Sequence, residues 1–241
     1  MDILANQTVG QIVANNLKTS KVFEAYQIDF CCHGNIELTQ ACRSKGIDLN
    51  RILSDLNNTS QVENTTQPNF FRIPLYELTK YIVKVHHEYM YELIPEIKQH
   101  LQVACGAHAK NHPELKEALH TFTDFKDIFY RHLRMEEKEF FPYVGALTKA
   151  WEGTATMPNP LKYSLSEYVD ILENDHRTAS ELILKVKSIC NNYQLPDDAC
   201  ITYRLFITEL QEMEADTHIH ITLENNVLHP RAKELERELH S

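Results

Sequence analysis

Apolar residues recur every three or four positions through most of the chain, which is the period of an amphipathic helix. The pattern predicts four long helices, over about residues 73–103, 113–148, 165–191 and 196–239. Pro113 lies where a first-turn proline is favoured, and Pro196 with two following aspartates predicts the start of the fourth helix. Because the connecting loops are short, neighbouring helices should run antiparallel. The predicted fold is all-α, an up-down-up-down four-helix bundle.

The first quarter of the chain has a shorter and less regular pattern. Thr8 can cap one short helix and Gly46 can end another, so residues 1–60 are predicted to form a small helical domain. Residues 61–72 are mostly polar and have no period, which predicts a linker. Residues 73–241 would then form the bundle domain.

Each predicted long helix carries a histidine within its apolar stripe. These histidines are spaced by 45, 44 and 44 residues, and they are His87, His132, His176 and His220. Equal spacing in helices of similar length predicts that the four side chains lie at a similar height in the bundle. In the second and fourth helices a glutamate follows four residues later, as Glu136 and Glu224. Residues four apart share a helix face, so each His–Glu pair should point toward one place.

An internal repeat supports this register. Segments 132–142 and 220–230 both read His-x-x-x-Glu, with a proline ten residues after the histidine. His87 and His176 are each followed five positions later by Glu-Leu-Ile. The two halves are offset by 88 or 89 residues, which predicts a duplicated helical hairpin and a site with approximate two-fold symmetry.

Periodicity alone leaves two histidines open in the first long helix. A stripe that starts at Tyr76 passes through His87, and an equally regular stripe that starts at Leu75 passes through His86. The repeat offset favours His87.

The buried glutamates point to metal. Two buried carboxylates without a cation would be costly or would have to be neutral. Four imidazoles and two carboxylates suit two metal ions, each bound by two histidine nitrogens, with both glutamates as bridges. Nitrogen and oxygen donors without thiolate favour iron, and manganese less so, over structural zinc. A bridging oxide or hydroxide would complete the site and leave a position for a small molecule.

The net charge, the apolar runs and the cysteine pattern limit the possible binding partners and the cellular compartment. The chain of 241 residues has a formal charge of -10, which argues against nucleic acid or an anionic membrane as the main partner. No apolar run approaches the roughly 20 residues of a membrane-spanning helix, and the N-terminus lacks a secretory pattern. The six cysteines are dispersed and form no zinc-ribbon pattern. We therefore expect a cytoplasmic protein.

The two His-x-x-x-Glu segments resemble the paired metal motifs of hemerythrin-like domains. The whole chain further resembles the bacterial repair-of-iron-centres family, di-iron proteins that restore iron–sulfur clusters damaged by oxidative or nitrosative stress. Segment 29–34, Asp-Phe-Cys-Cys-His-Gly, is similar to that family's N-terminal double-cysteine module. The resemblance implies a di-iron centre with the four histidines as terminal ligands and Glu136 and Glu224 as bridges. It also implies a homodimer and selects His87 over His86.

Two positions depart from the family pattern. His33 stands where the family often has glycine, and His229 stands where it often has phenylalanine. His229 is nine residues after His220, about 180° around a regular helix, and is interpreted as non-ligating. Cys31 and Cys32 are expected to be exposed in a polar turn, with His33 favouring the thiolate. We interpret this pair as a site of electron, iron or NO transfer.

Two functions follow from these observations. The leading hypothesis is a protein that acts on damaged iron–sulfur proteins and repairs their clusters by donating iron or by removing NO. The alternative is a hemerythrin-like sensor or carrier of O2 or NO. A simple carrier has no use for a double-cysteine module, which favours repair. Whether the centre also reduces NO or peroxide as an enzyme stays open.

Overall fold

A computed structural model of the protein describes residues 3–60, 67–159 and 161–241. Within these ranges the regular structure is helical, apart from one isolated bridge between Thr8 and Glu37. The predicted all-α fold is confirmed. Residues 61–66 of the predicted linker lie outside the described residues, and the domain boundaries at 60 and 73 stay a prediction. Among the described helices, none combines the length and the apolar character needed to cross a bilayer.

The described residues up to Ser60 form four short helices, namely α1 (Val9–Asn15), α2 (Ser20–Ala25), α3 (Leu38–Lys45) and α4 (Leu49–Ser60). Thr8 caps α1, because its hydroxyl accepts a hydrogen bond from the Gln11 backbone N–H. Gly46 ends α3 with a φ of 66°, a left-handed conformation that glycine adopts without a Cβ penalty. Both predicted helix boundaries are thus confirmed.

Four long helical segments follow, and three of them contain a π-helical turn. The first consists of α5 (Leu75–Ile82), a π-turn (Val83–His87) and α6 (Glu88–His108). The second consists of α7 (Glu114–Met135), a π-turn (Glu136–Phe140) and α8 (Phe141–Trp151). The third is α9 (Leu165–Ile189). The fourth consists of α10 (Ile201–Leu223), a π-turn (Glu224–Leu228) and α11 (His229–Leu239).

The chain divides into two compact units. The first contains the described residues up to Lys80 together with Val144–Asn159 and His218–Ser241. The second contains Tyr81–Tyr143 and the described part of the segment that ends at Thr217.

The second unit is an antiparallel helical bundle. Tyr91 packs on Tyr130 and His87 contacts Glu137. The later residue of the first long helix therefore pairs with the earlier residue of the second, which shows that the two helices are antiparallel. The second and third long helices are antiparallel by the same criterion, since Arg131 contacts Asp175 and Glu139 contacts Tyr168. The first and fourth are antiparallel as well, since His86 contacts Asp216 and His100 contacts Glu209. Its core comes mainly from the predicted stripes and includes Met90, Ile94, Phe122, Phe125, Phe129, Ile183, Phe206 and Met213. The predicted up-down-up-down order is therefore observed in this unit.

The first unit has a separate core built around the short helices. Val9, Phe23, Leu38, Ile52 and Leu56 are fully buried there, and Ile221 of the fourth long helix belongs to the same cluster. The Arg231 guanidinium donates hydrogen bonds to the backbone carbonyls of Phe70 and Ile73, at 2.8 and 2.7 Å. Burial lowers the pKa of Arg231. These two bonds fix the segment that leads into α5.

The fourth long helix begins later than the sequence predicts. It starts at Ile201, whereas Pro196 was expected in its first turn. Pro196 instead begins a turn in which its carbonyl accepts a hydrogen bond from the Ala199 N–H. The Asp198 carboxylate lies 2.8 Å from His112 Nε2 and therefore joins two loops of the second unit.

Candidate metal centre

Three predicted ligands lie together in the second unit. The Nε2 atoms of His132 and His176 are 2.9 Å apart, and His132 Nε2 is 3.2 Å from Glu136 Oε2. One possible ligand atom from each of these residues lies within 4.8 Å of those of the other two. All three side chains are buried, with Glu136 and His176 at 0% exposure. The end of α7 supplies His132, the π-turn that follows it supplies Glu136, and α9 supplies His176.

His87 joins the same group from the first long helix. Its Nε2 is 3.4 Å from Glu136 Oε2, and its Nδ1 is 2.9 Å from Glu137 Oε1. A proton on Nδ1 would be donated to Glu137, which leaves the Nε2 lone pair for a metal ion. The ring also stacks on Phe141. Glu137 is a site residue that the sequence analysis missed, although it directly follows the predicted bridging glutamate.

His86 is also buried, but it has a different partner. Its Nδ1 lies 2.9 Å from Asp216 Oδ1, and its ring packs edge-on against Tyr81. Of the two histidines that periodicity left open, His87 is therefore the one whose imidazole contacts Glu136.

The environment of this group fits a bound cation. A carboxylate with 0% exposure is held beside imidazole nitrogens, and burial of a lone carboxylate costs several kcal/mol. Aromatic rings surround it: Phe129 stacks on His132, and Phe140 stacks on Tyr168. Burial and the hydrogen bond to Glu139 raise the pKa of Tyr168, so this hydroxyl stays neutral. Nitrogen and oxygen donors in a buried, aromatic-lined pocket suit iron.

The other predicted ligand pair lies in the first unit. His220 Nε2 is 2.9 Å from Glu224 Oε1, and both side chains have 0% exposure. The predicted spacing of four residues therefore brings these two groups together, as it does for His132 and Glu136. His229 is buried as well, at 1% exposure. The expectation that His229 does not bind metal stays a prediction. The π-turn that precedes it changes the helical repeat, so the angle between His229 and His220 is not that of a regular helix.

The three π-turns coincide with the predicted ligands. One ends at His87, one begins at Glu136 and one begins at Glu224. In the last two, the N–H that closes the turn belongs to the residue just before Pro142 or Pro230. A proline in a helix lacks an N–H and clashes with the carbonyl four residues earlier, and a π-bulge is one way in which a helix accommodates the break. Single π-turns occur frequently at functional sites. The repeated proline is visible in the sequence, but the π-turn that precedes each proline is visible only in the folded chain.

The double-cysteine loop forms a second group, in the first unit. Asp29 Oδ1 accepts hydrogen bonds from the backbone N–H groups of Cys31 and Cys32, at 3.1 and 2.9 Å. The Sγ atoms of Cys31 and Cys32 are 3.7 Å apart, and Cys31 Sγ is 3.4 Å from Asp29 Oδ1. His33 Nδ1 is 2.6 Å from Asp29 Oδ2. Asp29 therefore holds the loop together.

The structure corrects two expectations about this loop. Cys31 is buried at 6% exposure, whereas both cysteines were expected to be exposed. The hydrogen bond with Cys32, burial and the Asp29 carboxylate all raise the pKa of the Cys31 thiol. His33 does not favour a thiolate at Cys31, since its Nδ1 pairs with the Asp29 carboxylate instead.

Two asparagines after Glu224 hold the same loop. Asn225 Nδ2 donates to the Cys31 carbonyl at 3.2 Å, and Asn226 Nδ2 lies 3.4 Å from the carbonyls of Phe30 and Cys31. These contacts join residues that are more than 190 positions apart in sequence. The segment that carries a predicted metal ligand and the double-cysteine loop are thus held together within the first unit.

Comparison with known proteins supports both parts of this description. Residues 5–60 match the model of a domain of unknown function, DUF542, and residues 79–232 match the hemerythrin HHE cation binding domain. The iron-sulfur cluster repair protein ScdA of Staphylococcus haemolyticus is 30% identical over 224 residues, which cover 91% of this chain and 95% of ScdA. ScdA of Staphylococcus epidermidis is 29% identical over 229 residues, covering 94% and 97%.

A second group of relatives carries a different name. The iron-sulfur cluster repair protein YtfE of Escherichia coli is 27% identical over 227 residues, which cover 94% of this chain and 96% of YtfE. These alignments span the double-cysteine module and the helical bundle, and the matched cation-binding domain contains all six predicted ligands. The chain belongs to the hemerythrin HHE cation-binding family and, within it, to the family of iron–sulfur cluster repair proteins ScdA and YtfE.

Proposed function

We propose that the protein repairs iron–sulfur clusters damaged by oxidative or nitrosative stress, and that it does so with a di-iron centre. The observation that carries this proposal is the similarity to named cluster repair proteins along more than nine-tenths of the chain, combined with a buried His–Glu group inside the cation-binding domain. The targets would be damaged iron–sulfur proteins. A hemerythrin-like O2 or NO sensor is the less favoured function, because the similarity includes the double-cysteine module.

The proposed centre has six protein ligands. His87, His132, His176 and His220 would bind two irons as terminal ligands, with Glu136 and Glu224 as carboxylate bridges and an oxide or hydroxide between the metals. The contacts within each unit support this assignment: Glu136 lies within 3.4 Å of His87 and His132, and Glu224 lies 2.9 Å from His220. The sequence repeat supports the pairing of the two halves.

The residues of the chain would prepare the centre for this chemistry. Glu137 orients His87 through Nδ1, while Phe141 stacks on the His87 ring and Phe129 stacks on the His132 ring. Bound iron would supply a change of redox state, a binding position for NO or O2, and a metal ion that can be passed to a damaged cluster. Cys31 and Cys32 are assigned to redox, iron or NO transfer in this scheme.

The proposal also includes a location and an oligomeric state. All six cysteines are thiols without a disulfide, as a reducing compartment such as the cytoplasm would maintain them. A homodimer is proposed on the family resemblance.

The test removes both bridging carboxylates from the full-length protein. We expect two irons per chain in the wild type and loss of both in the Glu136→Ala, Glu224→Ala double variant, measured by metal analysis and spin-resonance spectra. Repair is then measured as recovered activity of an NO-treated [4Fe–4S] enzyme under anaerobic conditions, and it should fall to background in the double variant. The control is Glu117→Ala with Glu234→Ala, two exposed glutamates of the same two long helices.

Two outcomes would contradict the proposal. The first is a double variant that retains stoichiometric iron. The second is a wild-type protein that binds O2 reversibly but restores no activity to the damaged enzyme, which would indicate the sensor or carrier.

A further inference from the structure

The double-cysteine loop brings two thiols and a carboxylate to one point. Possible ligand atoms of Asp29, Cys31 and Cys32 all lie within 4.8 Å of one another. This group is separate in sequence from the six proposed di-iron ligands, and none of its members is one of them. Its donor set also differs, because two of its three donors are sulfur. Soft thiolate donors select zinc, copper(I) and iron in sulfur coordination, whereas carboxylate oxygens suit harder ions such as magnesium, calcium and manganese.

Two donor–donor distances in the loop match those of a tetrahedral metal site. Two sulfurs bound at about 2.3 Å to one tetrahedral ion would be about 3.8 Å apart, and the Cys31 and Cys32 Sγ atoms are 3.7 Å apart. A sulfur and a carboxylate oxygen on the same ion would be about 3.5 Å apart, and Cys31 Sγ is 3.4 Å from Asp29 Oδ1. The third pair of donors, from Cys32 and Asp29, lies within 4.8 Å, so the three donors can converge on one ion.

The backbone of the loop is already fixed in this arrangement. Asp29 Oδ1 accepts N–H groups from Cys31 and Cys32, and His33 Nδ1 holds Asp29 Oδ2. Asn225 and Asn226 hold the carbonyl of Cys31 from the other side. Sites whose ligands are held by such supporting hydrogen bonds bind metal more tightly than unsupported ones.

We infer that Asp29, Cys31 and Cys32 form a mononuclear site for one divalent cation of the zinc or ferrous type, distinct from the di-iron centre. The ion takes two thiolates and one carboxylate oxygen, and its fourth position stays open to water or a small ligand. Binding releases one proton from each thiol to solvent and forms two metal–sulfur bonds and one metal–oxygen bond. The oxidation states of sulfur and metal do not change, so no oxidant or reductant is needed.

An open fourth position distinguishes this site from a structural zinc site. Structural zinc sites are closed by four protein ligands, whereas sites that exchange a ligand keep one position free. Asp29 is 43% exposed and His33 is 68% exposed, so the loop is accessible on that side. The site is therefore suited to bind and release a single ion.

Cobalt(II) is the probe, because its thiolate complexes have a charge-transfer absorption in the near ultraviolet. The titration uses the full-length protein after its iron content has been measured. We expect one equivalent of Co(II) to bind with a thiolate-to-cobalt band. The Cys31→Ser, Cys32→Ser variant should lose this band, and the Asp29→Asn variant should bind cobalt more than about tenfold more weakly. The amide oxygen of the substituted side chain can still accept the backbone N–H groups, so the loop should keep its fold.

The matched control is Cys105→Ser, which removes a partly buried thiol of the second unit and should leave the cobalt band unchanged. Thermal denaturation of each variant checks that the loop variants are folded. The inference is wrong if the wild-type protein shows no thiolate band. It is also wrong if the double cysteine variant binds cobalt with the same affinity, or if mass spectrometry shows that Cys31 and Cys32 join in a disulfide that prevents binding.

This inference does not depend on the proposed di-iron centre, and the two can fail separately. The Glu136→Ala, Glu224→Ala variant should keep the cobalt–thiolate band although it loses its iron. Conversely, the Cys31→Ser, Cys32→Ser variant should keep the iron content of the wild type. Loss of iron in the second variant together with loss of the band would overturn the assignment of two distinct sites.

Discussion

The side-chain amide of Asn226 fills the space beside Gly34. A Cβ added at Gly34 would lie 2.3 Å from Asn226 Oδ1 and 2.4 Å from the Phe30 carbonyl oxygen. Gly10 has the same relationship to Asn226, since its Cβ would lie 2.3 Å from the amide carbon. The two glycines are also joined by a 2.8 Å hydrogen bond from the Gly10 N–H to the Gly34 carbonyl. Because Gly10 and Gly34 have no side chains, the Asn226 amide can occupy this space and hold the double-cysteine loop.

Substitution of Gly34 by alanine should destabilise the first unit. The new methyl group would have to displace both a side-chain amide and a backbone carbonyl, and overpacking of this kind costs about 1–3 kcal/mol. The free energy of unfolding in urea measures the effect. Gly106→Ala is the control, because nothing lies within 4 Å of a Cβ at this exposed helical position. That variant should be more stable by up to about 1 kcal/mol, and an equal loss in both variants would contradict the steric explanation.

Removal of the two asparagine amides should open the double-cysteine loop. Each lost hydrogen bond is worth about 1 kcal/mol, so Asn225→Ala with Asn226→Ala should raise the open fraction of the loop well over tenfold. Cys31 is buried, and its alkylation rate reports this opening. Mass spectrometry of the alkylated protein should show faster modification at Cys31 and no change at Cys105. Gln211→Ala, an exposed amide of α10, is the control variant, and an unchanged Cys31 rate in the double asparagine variant would refute the prediction.

Substitution of Glu137 should weaken metal binding without removing a ligand. Glu137 Oε1 is 2.9 Å from His87 Nδ1, and carboxylates in this position orient the imidazole and increase its basicity. Glu137→Gln should lower the affinity for iron about 10–100-fold, as measured by competition with a chelator. Glu92→Gln removes a charge from an exposed position of the first long helix and should have no effect. Equal affinities for the Glu137 and Glu92 variants would show that His87 needs no such partner.

The pair formed by His112 and Asp198 should make stability depend on pH. The hydrogen bond with Asp198, and a weaker one with Glu114, raise the pKa of His112, and the bond with His112 lowers the pKa of Asp198 despite some desolvation. A raised histidine pKa adds stability that is complete below the unfolded value of 6.5 and is lost as pH rises through the folded value. The lowered Asp198 pKa adds stability above 3.8 that is lost as pH falls through its folded value.

The advantage of wild type over His112→Gln should therefore be largest between about pH 4 and pH 6 and should decline toward pH 8. Urea unfolding at a series of pH values measures it. In the Asp198→Asn background the His112 substitution should have a much smaller pH dependence. A difference between wild type and His112→Gln that is constant from pH 5 to pH 8 would be inconsistent with this coupling.

The helices and their buried faces could be predicted from the residue pattern alone. The stripes of the second, third and fourth long helices are buried almost throughout, and the histidine–glutamate spacing brings His132 to Glu136 and His220 to Glu224. These features are local, because they depend on a period of three to four residues and on single caps such as Thr8. An apolar stripe with the period of a helix is buried in the folded chain when that face of the helix packs against a core.

Periodicity alone could not choose between His86 and His87, although the repeat offset and the family resemblance both favoured His87. Before the π-turn, the buried residues Leu75, Leu78 and Ile82 follow the stripe of His86, and Tyr76 of the other predicted stripe is 42% exposed. After the turn, Met90, Ile94 and Ile97 follow the stripe of His87. Each predicted stripe is therefore buried on one side of the π-turn, because this turn contains one residue more than a turn of an α-helix. Periodicity assumes a constant helical repeat and therefore could not locate the change.

The contacts between the double-cysteine loop and the Asn225–Asn226 pair could not be predicted from the sequence. They join carbonyls and amides nearly 200 residues apart, and no local pattern of charge or hydrophobicity encodes such a pairing. The buried state of Cys31 follows from the same packing, which explains why a polar segment was wrongly expected to be exposed. A residue's own neighbours in sequence set its helix and its face, whereas its solvent exposure and hydrogen-bond partners depend on which distant segments fold against it.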